Sequence, residues 1–577
     1  MVAAACGATG EARVMKHTPQ PVQPVTLAGR VQEPDGTSVT SGFVTVTDLG
    51  PGGHNDVVAI DPTGSFQSSV PPGDYALAAA TARGFLWIER VKAPALDVHL
   101  ALHAGCHPIS GSIKRGGVPP RATLRVRLEH QSTSKGDTFY ARPSSNNAFL
   151  SCVPEGQYIV TLDGPVASAK MKTDVPGGEP ARLTAISAED LRRAPHPGAM
   201  PRSDIDSVVD EIARLNPRIV GLGEATHGTA EFFSQRADLT FELVRRTDLS
   251  LIFLENDAIA SIALDDYING ADVDLAKAVA SLGFWTTDVF EFHKFLRDLR
   301  LYNATAATKV HIWGIDLQNT TLPVELLLRS ADALAISSEN VALLRRLTKR
   351  GAGIKEFSVA ERANIDALLA RLSRPQGGSS KDLSVAVAAR SLALQLGYWD
   401  GDTDSWASKR RDLGMTALAE LILAQTNAKR ACVWAHDAHI SKESGELRLG
   451  YYLSRSSAKY YAVGFYVQAG TARAWDIETK IGVVSQPIPP LREYHVEQAL
   501  TGGVALKATA WISMRQLPPA LARWFDLPRY VRELYAIYEG PEGAEILRDV
   551  REGFDAIVII PTGHDSTPTP TGIRTAP

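Results

Sequence analysis

The stretch GLGEATHGTAEFF, Gly221 to Phe233, follows directly on the apolar run Ile219-Val220 and places a glutamate and a histidine three residues apart in a glycine-rich turn. Five further runs have the same character: LSLIFLEND, KVHIWGIDLQ, RACVWAHDAHI, KYYAVGFYV and FDAIVIIP. Each is about five to seven residues of Val, Ile, Leu and aromatics, too continuous for a strand with one solvated face, so the set predicts a buried, mainly parallel sheet. Helical patterns separate the runs, which makes residues 203–561 an α/β domain. From Pro323 to Thr426 only helical patterns occur, and this segment reads as a helical insertion over one end of the sheet.

Ahead of that domain the chain repeats itself. LAGRV (Leu27 to Val31) precedes GSFQSSVPPGDYAL, and ISGSI (Ile109 to Ile113) precedes NAFLSCVPEGQYIV, with Phe66 and Tyr75 spaced like Phe149 and Tyr158. Short alternating runs broken by Pro-Gly turns predict two small antiparallel β-sandwiches, at 23–103 and 104–190. They resemble prealbumin-like or carboxypeptidase-regulatory-like modules and hold no catalytic grouping. The segment RRAPHPGAMPRSD, Arg192 to Asp204, with three prolines and a glycine, is a linker. The Pro/Thr-rich residues 562–577 are expected to fray, and residues 1–22 to be disordered.

The chain has 577 residues, 44% of them apolar, and a mean hydropathy of -0.08, enough for several cores. Its formal charge of -4, without a basic run, gives little basis for binding nucleic acid. No run of uninterrupted apolar residues is long enough for a transmembrane helix. The opening MVAAACGATG resembles the end of a lipoprotein signal, so an exported chain anchored to the cell envelope through lipid on Cys6 is expected. Cys106 and Cys152 fall in one module and could pair in an oxidising compartment, whereas Cys432 reads as a buried small hydrophobe.

Polar residues gather where each strand pattern ends: Glu224 and His227, Glu255, Asp316, then His436 and His439. In open parallel sheets the carboxyl ends of the strands form the binding crevice, so these residues should converge. A dinucleotide cradle would need glycine where Thr226 stands, and a P-loop would need Gly-Lys-Ser/Thr, which is absent. His227, Glu255, His436 and His439 could ligate zinc, but His-Glu-x-x-His and cysteine ligands are missing. Histidine general-base catalysis remains, with carboxylates orienting the imidazoles and arginines facing an oxyanion. No Gly-x-Ser-x-Gly occurs, and Thr226 has no motif behind it, so attack by water is expected.

GLGEATHGTAEFFSQRADLT, FLEND, FLRDLRLYN, IWGIDLQ, KRRDLGM and VWAHDAHI together resemble the erythromycin esterase family from about Ser203 to Pro561. The resemblance implies an α/β fold with a helical part over the cleft, hydrolysis of a macrolide lactone, no cofactor and no tightly bound metal. It implies His227 as the water-activating base beside Glu224, with Glu255, Arg411, His436 and His439 completing the catalytic set. Asp437 stands where the family has asparagine, and is expected to add a negative charge that raises a neighbouring imidazole and affects substrate choice. Arg236, nine residues past His227, is left open between cleft and surface, and Asp316, Trp285 and Trp406 are candidate substrate contacts. Trp434 precedes the site on a strand and reads as core.

Two other readings stay open. One is a non-catalytic surface protein that binds an envelope glycan or ester; the other is a metal-dependent hydrolase using the same cleft. The expected partner is a small ester or lactone, and no protein partner can be inferred.

Overall fold

The computed structural model describes residues 24–48, 55–114, 125–130, 138–144, 146–163, 171–186, 188–195, 204–347, 357–375, 379–398, 404–443, 448–456, 459–476, 482–538, 540 and 544–570. Cys6 and its expected lipid lie outside them.

Both N-terminal modules are sandwiches of a three-stranded and a four-stranded sheet. The duplication is visible in the pairing: Gly29 lies opposite Phe66 as Gly111 lies opposite Phe149. Tyr75 donates its hydroxyl to the Pro71 carbonyl and Tyr158 to the Pro154 carbonyl. The sandwiches are antiparallel with one exception apiece. Val25–Gln32 runs parallel to Ala95–Ala101, and His107–Lys114 parallel to Ala181–Thr184. First and last strands meet because each chain end returns beside the start after crossing both sheets, and a direct hairpin cannot make that connection. Cys106 and Cys152 form a disulfide.

The α/β domain is built on β1 (Ile219–Leu222), β2 (Leu249–Asp257), β3 (His311–Asp316), β4 (Arg430–Trp434), β5 (Tyr460–Asp476), β6 (Ala510–Ser513) and β7 (Ala556–Gly563). Their order across the sheet is β3-β2-β4-β1-β5-β7-β6, parallel throughout except for β6 at the edge. The six runs read from the sequence are β1 to β5 and β7. The missed β6, Ala510–Ser513, has only Trp511 and Ile512 as large apolar residues, so it does not stand out as an apolar run. β1 and β4 are buried at every position, as a sheet covered on both faces requires.

Between β3 and β4 lie the helices Thr321–Arg329, Ser338–Arg346, Val359–Leu372, Ser380–Tyr398 and Asp404–Gln425. The last of these carries Arg411 near its start, at the carboxyl edge of the sheet, and runs from there toward the beginning of β4. Residues 564–570 do not fray as the sequence suggested. Thr569 is buried and donates Oγ1 to Asp288 Oδ1, and the Thr567 amide donates to the Glu291 carboxylate. Specific hydrogen bonds offset the poor packing of a Pro/Thr-rich strand. Among the described residues no helix is long and apolar enough to cross a membrane.

Candidate active site

The carboxyl ends of β1 to β4 open into a cleft of about 540 Å3, a size suited to small molecules, whose sites span roughly 300–1,000 Å3. Glu224, His227, Glu255, Asp316, Arg411 and His439 line it, as do Arg236 and Trp285.

The glycines of the opening stretch serve close backbone approach. A Cβ on Gly228 would stand 2.0 Å from the Arg473 carbonyl oxygen, and one on Gly223 would meet Asp437 Oδ1 at 1.7 Å. With both neighbours this near, the turn after β1 carries Glu224 and His227 into the cleft. His227 Nδ1 lies 2.9 Å from Glu224 Oε1, and Arg236 Nη2 donates to Glu224 Oε2 at 2.5 Å. Arg236 is 2% exposed and lies over the rings of Phe233 and Trp434. The open question about Arg236 is thus settled toward the cleft. Burial alone would raise Glu224, but Arg236 and His227 outweigh it and hold the carboxyl below its ordinary value. An ionised Glu224 can only accept, so this contact requires a proton on His227 Nδ1.

A second centre forms around Arg411. Its Nε and Nη2 donate to the two oxygens of Asp316, each at 2.8 Å, and Nη2 also reaches Glu255 Oε1 at 2.8 Å. Glu255 Oε2 accepts from the His436 main-chain amide at 3.0 Å. His439 Nδ1 lies 2.7 Å from Asp412 Oδ1, and its Nε2 is 3.2 Å from both Glu255 Oε1 and Arg411 Nη1. Burial would lower His439, but Asp412 and Glu255 push it up to about 9. In that protonated form Nδ1 donates to Asp412 and Nε2 to Glu255, so Arg411 Nη1 is a neighbouring cation and not a donor to the ring. Burial also opposes the charge on Glu255, yet His439 and Arg411 drive its pKa well below the ordinary range. The fork of Arg411 is therefore largely occupied by carboxylates, and positioning precedes any contact with an oxyanion.

His436 is placed differently from the other five. Its ring is wedged between His227, with centroids 4.9 Å apart, and Tyr535, stacked at 4.6 Å, and it is buried behind the cleft wall. Burial and the neighbouring His227 drive it well below its ordinary value, so it is neutral. Its Nδ1 accepts from the Ala438 amide, which puts the proton on Nε2.

Asp437 corrects the sequence expectation. Its carboxyl turns away from the imidazoles to the Phe465 amide, 3.2 Å away, and is completely buried. Burial, reinforced by Glu533, raises it well above the ordinary carboxylate range. A protonated Asp437 adds no charge, and the neighbouring His436 is lowered. Trp434 stacks on Phe295 at 4.3 Å and donates Nε1 to Thr240, as a core residue would, while one edge reaches the cleft. Trp406 falls outside the described side chains. Cys432 is free and buried, its thiol pushed up to about 12 by burial.

Sequence reasoning missed three parts of the site. Asp412 holds His439 and sits next to Arg411 within KRRDLGM, where the adjacent arginine drew the assignment. Asn256 lines the cleft beside Glu255. Residues 533–538 and Gly540, with Tyr535 and Tyr538 among them, form a wall that carries no motif. Among the described residues no group of three or more His, Cys, Asp or Glu is arranged to hold a metal ion.

A parallel α/β sheet whose strand ends converge on paired histidines, carboxylates and an arginine defines a hydrolase-type site. The model of the erythromycin esterase family matches residues 244–563, more than half of the chain, and the chain belongs to that family of esterases. The match begins after the Gly221–Phe233 turn, so Glu224 and His227 stand on their geometry. Erythromycin esterase type I of Escherichia coli is 23% identical over 393 residues, covering 60% of this chain and 92% of that protein. Two solved structures share the fold. A succinoglycan biosynthesis protein has a TM-score of 0.55 at 17% identity, covering 66% of this chain and 97% of its own. A Bacillus cereus protein has a TM-score of 0.53 at 19% identity, covering 66% and 98%.

Proposed function

We propose that this chain hydrolyses a bulky carboxylic ester or macrolactone by attack of a water molecule that His227 activates. The observation that carries the reading is the 2.9 Å contact between Glu224 and His227 Nδ1, which leaves the Nε2 lone pair of a cleft-lining imidazole as the base. Protonated His439 and Arg411 supply positive charge beside the cleft for the oxyanion that develops on the substrate carbonyl. Phe284, Trp285, Phe292, Tyr535 and Tyr538 give the cleft aromatic walls, which suit an apolar ring or chain. The name of the E. coli relative supports a macrolactone within that class.

Water as the direct nucleophile is favoured over an acyl-enzyme. Among the described residues no serine or cysteine lines the cleft, the cleft threonines Thr286 and Thr287 have no histidine bonded to their hydroxyls, and Thr226 is buried with its hydroxyl bonded to Thr229. The test is hydrolysis of an ester and lactone panel in ¹⁸O-labelled water. Single-turnover product should carry the label with no acylated protein by mass, and His227→Ala should lower turnover by about 10²-fold or more. A trapped acyl-enzyme, or near-normal turnover in His227→Ala, refutes the mechanism.

We also propose that the protein works outside the cytoplasm, a reading supported by the Cys106–Cys152 disulfide, since such bonds persist in oxidising compartments. Fractionation of cells, with mass analysis of the mature N-terminus for lipid on Cys6, tests it. Recovery in the cytosol with both thiols free would defeat it.

A further inference from the structure

β2 ends in a bulge. Leu254 pairs with Gly314 and Asp257 with Asp316, so Glu255 and Asn256 together face the single residue Ile315 on β3. Successive strand residues normally point to opposite faces, and a bulge re-aims a side chain that would otherwise turn away. Here it lets both Glu255 and Asn256 line the cleft. Glu255 is fully engaged by Arg411 and the His436 amide, but Asn256 is not. Its Nδ2 is buried and has no hydrogen-bond partner among the described residues. The same holds for Trp285 Nε1, on another cleft-lining segment. Trp285 is 2% exposed and Asn256 3%. A buried donor left unpaired destabilises a fold, so two of them in one cleft call for an explanation.

We infer that Asn256 and Trp285 are specificity-determining residues that donate hydrogen bonds to oxygen atoms of the substrate outside the reacting ester group. The inference rests on the proposed ester hydrolysis. Asn256 directly follows a residue that touches Arg411, so the oxygen it reads belongs close to the scissile carbonyl. Neither residue has charge to offer, and an uncharged donor selects a hydroxyl, ether or ketone oxygen over a hydrocarbon. A site built to pair such an oxygen discriminates against the analogue that lacks it, because binding that analogue leaves the donor buried and unpaired.

The probes are p-nitrophenyl butanoate and p-nitrophenyl β-hydroxybutanoate, which differ by one hydroxyl. Asn256→Leu should lose about ten-fold more kcat/KM on the hydroxylated ester than on the plain one, chiefly through KM, as the loss of one hydrogen bond predicts. Trp285→Phe removes the N–H together with the five-membered ring, so it is read on substrate preference alone, which should shift the same way. Equal losses on both esters overturn the inference. The unliganded melting temperature of Asn256→Leu is the second readout. Removing an unpaired buried donor should leave Tm level or raise it, whereas a residue that holds the fold together would lower Tm by several degrees when changed. If the native protein hydrolyses neither these esters nor any member of the ester and lactone panel, the proposed function fails separately. The subsite is then decided by Tm, a level or higher value sustaining it and a fall rejecting it.

Discussion

Arg411 and Glu255 stand 156 residues apart in the chain and are joined by a 2.8 Å hydrogen bond from Nη2 to Oε1. The same guanidinium holds both oxygens of Asp316. One side chain from the helical insertion therefore fixes the ends of β2 and β3 together. Arg411→Lys retains the charge but cannot bridge two carboxylates in one plane, so turnover should fall by roughly a hundred-fold with the fold retained. Arg411→Ala leaves buried carboxylates without their cation and should cost about 3–5 kcal/mol of stability. Urea unfolding and steady-state kinetics on the two variants separate these effects. Equal stability of Arg411→Ala and the native protein would contradict the arrangement.

His227 and Glu224 act as one unit if the carboxylate fixes the tautomer of the imidazole. His227→Ala should lower kcat by about 10²-fold or more, the usual scale of general-base help. Glu224→Gln should also be damaging, since an amide can place its own N–H toward Nδ1 and reverse the tautomer. The double variant should lose far less than the product of the two single losses. Multiplicative losses would show that the residues work independently.

Asp437 is protonated in the fold, which makes its energetics opposite to those of the other carboxylates nearby. The folded-state pKa lies above the unfolded value of about 3.8, so the unfolded chain holds fewer protons and stability falls as pH rises past that value. Asp437→Asn removes the titration while keeping an acceptor for the Phe465 amide. It should stabilise the protein at pH 8 and matter little at pH 3.5. Thermal unfolding of both proteins across that range decides it, and a gain that is the same at every pH would count against a protonated Asp437.

The sheet was legible in the sequence because each parallel strand is buried on both faces and reads as an unbroken apolar run, Ile219–Leu222 and Arg430–Trp434 among them. The site was legible because a parallel sheet delivers its polar residues to one edge, so Glu224, Glu255, Asp316 and His439 could be grouped without knowing the strand order. Asn256 was hidden because strict alternation turns it away from Glu255, and only the bulge brings it round. The ionisation of Asp437 was misread for a related reason. Sequence gives the residue type, while its charge depends on burial and on the distant Glu533. Tyr535 had no pattern to reveal it, since its segment is placed by main-chain bonds from the Leu534 amide to the Ala225 carbonyl and from the Trp475 amide to the Ala536 carbonyl.

His439 predicts an alkaline limit. Its folded-state pKa of about 9 lies above the ordinary 6.5, so the ion pairs with Asp412 and Glu255 contribute fully below pH 6.5. The contribution declines as pH rises and is gone above about 9. The difference corresponds to roughly 3 kcal/mol. Comparing the unfolding free energy of the native protein with that of His439→Gln should show a gap that narrows by this order between pH 6.5 and pH 9.5. Other groups titrate in both proteins and cancel in the comparison. A gap that stays constant with pH would mean that His439 is neutral throughout.

The boundary between the sandwiches and the α/β domain can be placed by truncation. A cut before Ser203 falls near the end of the Pro-rich linker, but residues 190–193, ahead of the linker and at its start, are bound to the α/β body. Arg529, 4% exposed, donates Nη1 to the carbonyls of Asp190 and Leu191, and Trp524 donates Nε1 to the Arg193 carbonyl. Leu191 is buried at 4% exposure, and Arg192 lies over the rings of Tyr494 and Tyr530. Across the same junction the second sandwich offers the Lys172–Glu552 ion pair at 3.2 Å, a half-exposed contact of the kind that contributes little. A chain starting at Ala188 should therefore match the full chain in stability of the α/β domain and in turnover. One starting at Ser203 should be less stable by about 1–3 kcal/mol, because the Arg529 and Trp524 hydrogen bonds and the burial of Leu191 are lost together. Its activity should survive at low temperature, since among the described residues none before Ser203 lines the cleft. Equal stability of the two truncated chains would show that the docked helix Ala188–Leu191 contributes nothing, and loss of folding in both would place the α/β body under the control of the sandwiches.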